Sequence, residues 1–320
     1  MTAPATTSAP PHAPRPRRRP ADRIFAGSTI VAGGLILAIL AAVALFLVVQ
    51  SIPALTANAD DISLSGFPDS FFQYVGPLAF GTVYAAALAL LMALPVAIGI
   101  ALFISHYAPR RLAQGLGYII DLLAAVPSVV FGLWGSIVLA PAVQPVYAWM
   151  ADHLGWFPLF AGPVSGTGRT LLTASIVLAV MILPIITALS REVFLQTPTL
   201  HEEAALALGA TRWEMIQVAV LPFGRPGIIS ASMLGLGRAL GETMAVALVL
   251  SPALVINPAI LTSTNSSTIA ANIALRFPEA HDIGINTLIA TGLVLFVITL
   301  VVNSIARVVI NRRKAFSGAN

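Results

Sequence analysis

Long apolar stretches dominate the chain, with neither the strict alternation of a half-buried strand nor the narrow stripe of a surface helix. Six of them are long enough to cross about 30 Å of hydrocarbon, for which a helix needs roughly 20 residues. They run approximately Ile24–Val49, Leu78–Ile104, Leu116–Val143, Leu171–Leu189, Gly227–Leu250 and Ile285–Ile310. Barrel strands are shorter and alternate, so the pattern predicts an all-α membrane protein with six transmembrane helices. The third stretch contains Pro127 and Pro141 and is expected to tilt, bend or break.

Composition strengthens this reading. The 320 residues are 58% hydrophobic and only 9% charged, against roughly 25% charged in soluble domains. Without cysteine the chain has no disulfide, thiolate metal site or cysteine nucleophile. The five histidines, His12, His106, His153, His201 and His281, show no ligand spacing, so no metal site and no catalytic residue is expected.

The net charge of +4 admits a nucleic-acid partner in principle, but the placement of the charges points to topology instead. With both termini in the cytoplasm, fourteen of the seventeen Lys and Arg residues fall inside. Arg169 and Arg276 fall outside, and Arg238 lies in the membrane. Asp60, Asp61, Asp69, Asp152, Glu279 and Asp282 also fall outside, so the positive-inside rule sets this orientation in the cell membrane. Residues 1–22 read as a disordered basic cytoplasmic tail that anchors topology. A signal peptide fits poorly, because the first apolar run is too long and Gln50-Ser51-Ile52-Pro53 is no convincing cleavage site. Residues 23–76 then hold the first span and its outer loop, 77–310 a five-helix core, and 311–320 a cytoplasmic tail.

The connection 191–225 has structure of its own. Thr199 and Glu202 have capping-box spacing, a helix-forming run follows, and Gly209 is placed for a left-handed stop. Thr211 and Glu214 form a second such pair, opening a helix expected to end before Pro222. Glu203-Ala204-Ala205, three residues, Gly209, and then Leu221-Pro222 resembles the EAA loop of ABC-importer permeases. That resemblance implies a type I ABC importer permease fold whose loop docks on a separate ATPase, with Thr199, Glu203, Ala204, Ala205, Gly209 and Thr211 in the docking element. Ala219 departs from the pattern, which favours Ile there. Independently, the sole lysine is Lys314, so the chain lacks the lysine a Walker A loop needs. ATP and Mg are therefore expected on a partner chain, and no cofactor on this one.

Arg238 and Glu242 sit within an otherwise apolar stretch, where a mid-membrane charge costs roughly 2.5–3.5 kcal/mol on insertion scales. Their spacing of four places them on one face of a helix. Arginine suits an oxyanion because its planar fork of donors stays charged. Glu242 is expected to hold the guanidinium or to accept from a protonated oxyanion, with Gly235, Gly237 and Gly241 thinning the helix nearby. A buried ion pair that only fixes helix packing or a subunit interface is the competing reading. Ser128, after Pro127, is a weaker pathway candidate, and Asp121 weaker still. Trp134 and Trp156 read as packing or interface anchors.

The run Leu236–Val246, with Gly-Arg-Ala-Leu-Gly-Glu-Thr at its centre, resembles the fifth span of the high-affinity phosphate importer (Pst) permeases. Val126-Pro127-Ser128-Val129-Val130-Phe131-Gly132-Leu133-Trp134-Gly135 resembles their third span, and Met244-Ala245-Val246 resembles the C-type subunit. This resemblance implies an A-type sister permease, two ATP-binding subunits and an extracytoplasmic phosphate-binding protein as partners. It also implies that Arg238 and Glu242 take part in phosphate passage. An importer for phosphonate, sulfate or molybdate is the alternative. An ion-coupled secondary transporter leaves the capped hairpin without a role, and a membrane-embedded enzyme lacks clustered catalytic groups.

Overall fold

The computed structural model describes residues 20–57 and 70–314. Among these, six helices are long and apolar enough to span a membrane. The expected disordered tail, apart from its last residues, lies outside the described residues, as do Asp60, Asp61 and Asp69 and the end of the chain beyond Lys314.

Helix α1 covers Pro20–Thr56, and the chain divides into two compact units within it, between Phe46 and Leu47. In the first unit two hydroxyl side chains turn back on the helix. Ser28 and Thr29 each donate to the Phe25 carbonyl at 2.9 Å, which satisfies hydroxyls that hydrocarbon leaves without partners.

The second unit is built around α6 (Leu171–Leu195), whose face is buried along nearly its whole length. Helix α2 (Phe71–Leu102) packs on it with a stripe of Ala85, Ala89, Ala93, Ala97 and Ala101, one per turn and all buried. Small residues at this spacing let two backbones approach closely, which drives packing where lipid is as apolar as leucine. Helix α9 (Leu221–Leu240) uses glycine for the same purpose. A Cβ on Gly227 would lie 2.4 Å from Val193 Cγ2, and one on Gly235 2.9 Å from Ile186 Cδ1. These contacts pin α9 antiparallel to α6.

The third crossing breaks at its proline, as expected. Helix α3 (Arg110–Ala124) ends, and α4 (Ser128–Trp134) begins with Pro127 at its cap position, followed by a π-helical turn (Gly135–Leu139) and α5 (Ala140–Leu154). Gly117 lies against the Arg191 guanidinium and Gly135 against Val177, so both halves run along α6. The crossing also continues to Leu154 rather than stopping near Val143.

At the basic end, α7 (Thr199–Ala207) and α8 (Arg212–Met215) form the hairpin. A π-helical turn at Ile216–Val220 then runs directly into α9. The expected stop before Pro222 is therefore wrong. Proline at the start of α9 needs no helical amide, and the widened turn ahead of it accommodates the ring. The fifth crossing has a different interruption: α9 ends at Leu240 and a short α10 (Met244–Val249) follows.

At the far end, a parallel pair of two-residue strands, β1 (Pro252–Ala253) and β2 (Asn265–Ser266), closes a loop into the protein. Asn265 is fully buried; its carbonyl accepts from the Leu171 amide at 2.9 Å and its amide donates to the Ala259 carbonyl at 2.8 Å. Thr82 of α2 accepts from the Ile269 amide at 2.9 Å, which secures the start of α11 (Ile269–Arg276). Helix α12 (Ile283–Lys314) completes the set; its Ala290 packs with Ala54, Phe71 and Val75.

Gly81 of α2 lies against this loop, where a Cβ would meet the Ser267 carbonyl oxygen at 2.3 Å and that of Ser266 at 2.8 Å. Backbone cannot rotate away as a side chain can. Gly81→Ala should destabilise the protein by about 1–3 kcal/mol, read as a lower thermal midpoint in detergent, whereas Gly76→Ala, facing open space, should not.

Candidate functional site

The break in the fifth crossing redefines the charged pair. Gly241 ends α9, and Glu242 and Thr243 lie between the two helices. Arg238 and Glu242 are therefore not on one continuous helical face. Glu242 is 8% exposed, and its Oε1 accepts from the Ala245 amide at 3.0 Å. The carboxylate thus caps the new helix, whose first amides have no carbonyl partners, and its negative charge sits favourably at that end. The expected grip of Glu242 on the guanidinium is absent: among the described residues the salt bridge of this structure is His106–Glu202.

Arg238 is half-buried at the last turn of α9 and lines a groove of about 610 Å³ with Ile185, Ser230, Met233, Leu234, Gly237 and Asn303. Its guanidinium has neither a hydrogen bond nor an ion pair among the described residues. The packing-only reading required a locked ion pair, and these two side chains do not make one. Gly235 is buried against α6, while Gly237 has nothing near its missing side chain and Gly241 only the Gly237 carbonyl oxygen, so the helix surface beside Arg238 stays open.

Ser128 is brought close to this region by the packing of α4 on α10. A Cβ on Gly132 would lie 2.8 Å from the Ala245 Cα, and one on Gly135 2.8 Å from Val249 Cγ2. The interruptions of the third and fifth crossings therefore lie side by side, with Ser128 opening one half-helix and Glu242 capping the other. Asp121 is exposed on α3, and Trp134 and Trp156 are exposed.

The hairpin follows its sequence signals in part. Gly209 is left-handed at φ +87°, and the Ala210 amide closes on the Ala205 carbonyl at 3.2 Å. Thr211 and Glu214 form the reciprocal capping box, at 3.3 Å and 2.7 Å. The Thr199 box does not form. Pro198 occupies the cap position, so Thr199 is the first helical residue and Glu202 the fourth, one step too far to reach back. Glu203 and Ala204 are exposed, Ala205 packs toward Met215 and Ile216, and Leu208 is 90% exposed at the tip.

Sequence reasoning passed over Asn303 and His106. Asn303 is an exposed amide within an apolar span, a signal of the same kind that singled out Arg238. His106 lies just past the expected end of the second span and carries no motif.

Residues 93–315 match the family described as the binding-protein-dependent transport system inner membrane component. The chain belongs to this family. Its relatives include the phosphate transport system permease protein PstC 2 of Mycobacterium tuberculosis, 46% identical over 306 residues, covering 92% of this chain and 93% of the relative. The phosphate transport system permease protein PstC of Mesorhizobium japonicum is 41% identical over 306 residues, covering 93% and 92%. In fold, the chain is similar to a bacterial ABC transporter involved in the import of the acidic polysaccharide alginate, with a TM-score of 0.58, 20% identity, and coverage of 91% of this chain and 96% of that one. The protein is thus a multi-pass inner membrane component with an ABC importer permease fold.

Because Glu242 caps a helix while Arg238 stands apart, their effects on stability should be independent. Glu242→Ala should cost about 1 kcal/mol, and Glu242→Gln, which keeps an acceptor, much less. A thermal-shift double-mutant cycle of Arg238→Gln with Glu242→Gln should be additive.

Proposed function

We infer that this chain is the permease subunit of an ATP-driven phosphate importer. The near full-length identity of 41–46% to phosphate transport permeases carries the assignment, and the geometry around Arg238 supplies its chemistry. A phosphate ion entering hydrocarbon loses its hydration and requires a fixed positive charge with directed donors. Arg238 offers this charge with no carboxylate among the described residues paired to it, beside a helix surface that glycine keeps open. Asn303 and Ser230 line the same groove.

In this reading Arg238 is the main pathway residue, and Ser128 and Glu242 stand at the adjoining helix breaks. Glu242 acts chiefly by holding the break open in a fixed shape. The basic end faces the cytoplasm, following the positive-inside rule. There the α7–α8 hairpin docks a separate ATPase, presenting Glu203, Ala204 and the exposed Leu208, while Gly209 and Thr211 set the angle between its helices. Two such ATP-binding subunits, a sister A-type permease and an extracytoplasmic phosphate-binding protein complete the machine. This polypeptide conducts, and the partner chain hydrolyses ATP; a lone lysine, Lys314, leaves it without the residue of a phosphate-binding loop.

The deciding assay is ATP-driven phosphate uptake into vesicles holding the whole complex. Arg238→Gln should lower uptake about a hundredfold with assembly intact, the order of loss when a desolvated charge contact is removed. Arg238→Lys should retain partial activity, because it keeps the charge and loses the fork. Uptake by Arg238→Gln at the wild-type rate would overturn the pathway role. For the docking role, Leu208→Asp should release the ATPase during affinity purification while the permease remains in the membrane.

A further inference from the structure

The docking hairpin lies against two π-helical turns of the membrane core. On one side, Ala205 of α7 packs against a buried cluster of Ala101, Leu102, Phe194, Met215, Ile216 and Val220, the last two bounding the π-helical turn ahead of α9. On the other side, a π-helical turn at Phe103–Tyr107 ends the α2 crossing, and it carries Ser105 and His106. His106 Nδ1 lies 2.7 Å from Ser105 Oγ, and its Nε2 lies 3.4 Å from Glu202 Oε1 on α7. The two side chains are only 9% and 23% exposed. Turns of this kind concentrate at functional sites because the extra residue lets a helix shift locally without breaking.

The ring geometry works in either protonation state. In the neutral form Nδ1 accepts from the Ser105 hydroxyl and Nε2–H donates to Glu202. In the charged form both nitrogens donate, Ser105 Oγ accepts from Nδ1–H, and its own hydroxyl donates to the Leu102 carbonyl at 3.3 Å. Either way Nε2–H points at the carboxylate. Left out of the cap by Pro198, Glu202 is available to His106 instead.

We propose that His106 is a positioning residue for energy coupling: through Glu202 it ties the ATPase-docking helix α7 to the end of the α2 crossing, so that movement of α7 is passed to the transmembrane core. The proposal rests on the reading of the α7–α8 hairpin as the ATPase-docking element. Packing by Ala205 alone lets α7 slide on an apolar surface, whereas a directed hydrogen bond fixes its register.

The test uses the complete importer in proteoliposomes and reads phosphate transported per ATP hydrolysed. His106→Ala and Glu202→Ala should each lower this ratio by about fivefold, the net scale of one ordinary intramolecular hydrogen bond, with the ATPase still bound. The double variant should fall no further than either single one, and His106→Gln, which restores a donor, should recover most of the loss. A wild-type ratio in His106→Ala, or a double-variant loss equal to the product of the two single losses, would overturn the proposal. If His106→Ala prevents assembly, the comparison of His106→Gln with Glu202→Leu carries the same decision: an unchanged ratio in Glu202→Leu refutes it, and a loss there with none in His106→Gln supports it. Leu208→Asp runs alongside. Retained ATPase in that variant sinks the docking reading itself, whatever the His106 variants do.

Discussion

Every backbone amide and carbonyl placed in hydrocarbon must find a partner inside the protein, and the rest of this structure follows from that requirement. It forces the crossings to be helical and makes each interruption costly unless side chains take over the lost bonds. Two crossings are nevertheless interrupted. Pro127 carries no amide, so a helix start there leaves one fewer donor to satisfy. At the other interruption the Glu242 carboxylate accepts the Ala245 amide at 3.0 Å. The far-end loop obeys the same rule through Asn265, whose side chain replaces backbone partners on both sides of the loop.

Packing supplies the second level. With no water to expel between helices, close approach of small residues holds the core, and α2 and α9 meet α6 through alanine and glycine. That choice has a functional consequence. The glycines of α9 divide into three that face α6, Gly224, Gly227 and Gly235, and one that faces open space, Gly237, and the open side is where Arg238 stands. A guanidinium beside a thin, unobstructed helix surface can meet an anion, while the carboxylate four residues on is committed to the backbone.

Much of this was legible from residue order. The apolar stretches located every crossing, Pro127 announced the break in the third, and Gly209 and the Thr211–Glu214 pair set the second half of the hairpin. The failures have specific causes. Pro198 displaced the first capping box by one position, a competition between two adjacent cap candidates that periodicity does not weigh. Pro222 reads locally as a helix stop, yet a π-helical turn at Ile216–Val220 absorbs it. Spacing of four placed Arg238 and Glu242 on one face only under the assumption of an unbroken helix. His106 was invisible because its partner lies 96 residues away.

By itself the sequence determined the class of solvent around the chain, the number of crossings and the presence of an isolated cation within them. These depend on composition and on local periods, which are properties of short segments. Tertiary structure decided which of the two membrane charges is free of a partner among the described residues and to what α7 is tied. Both depend on how α4 meets α10 and how α7 meets the end of α2. Such contacts are fixed by the fit of side chains far apart along the chain, and no local pattern encodes that fit.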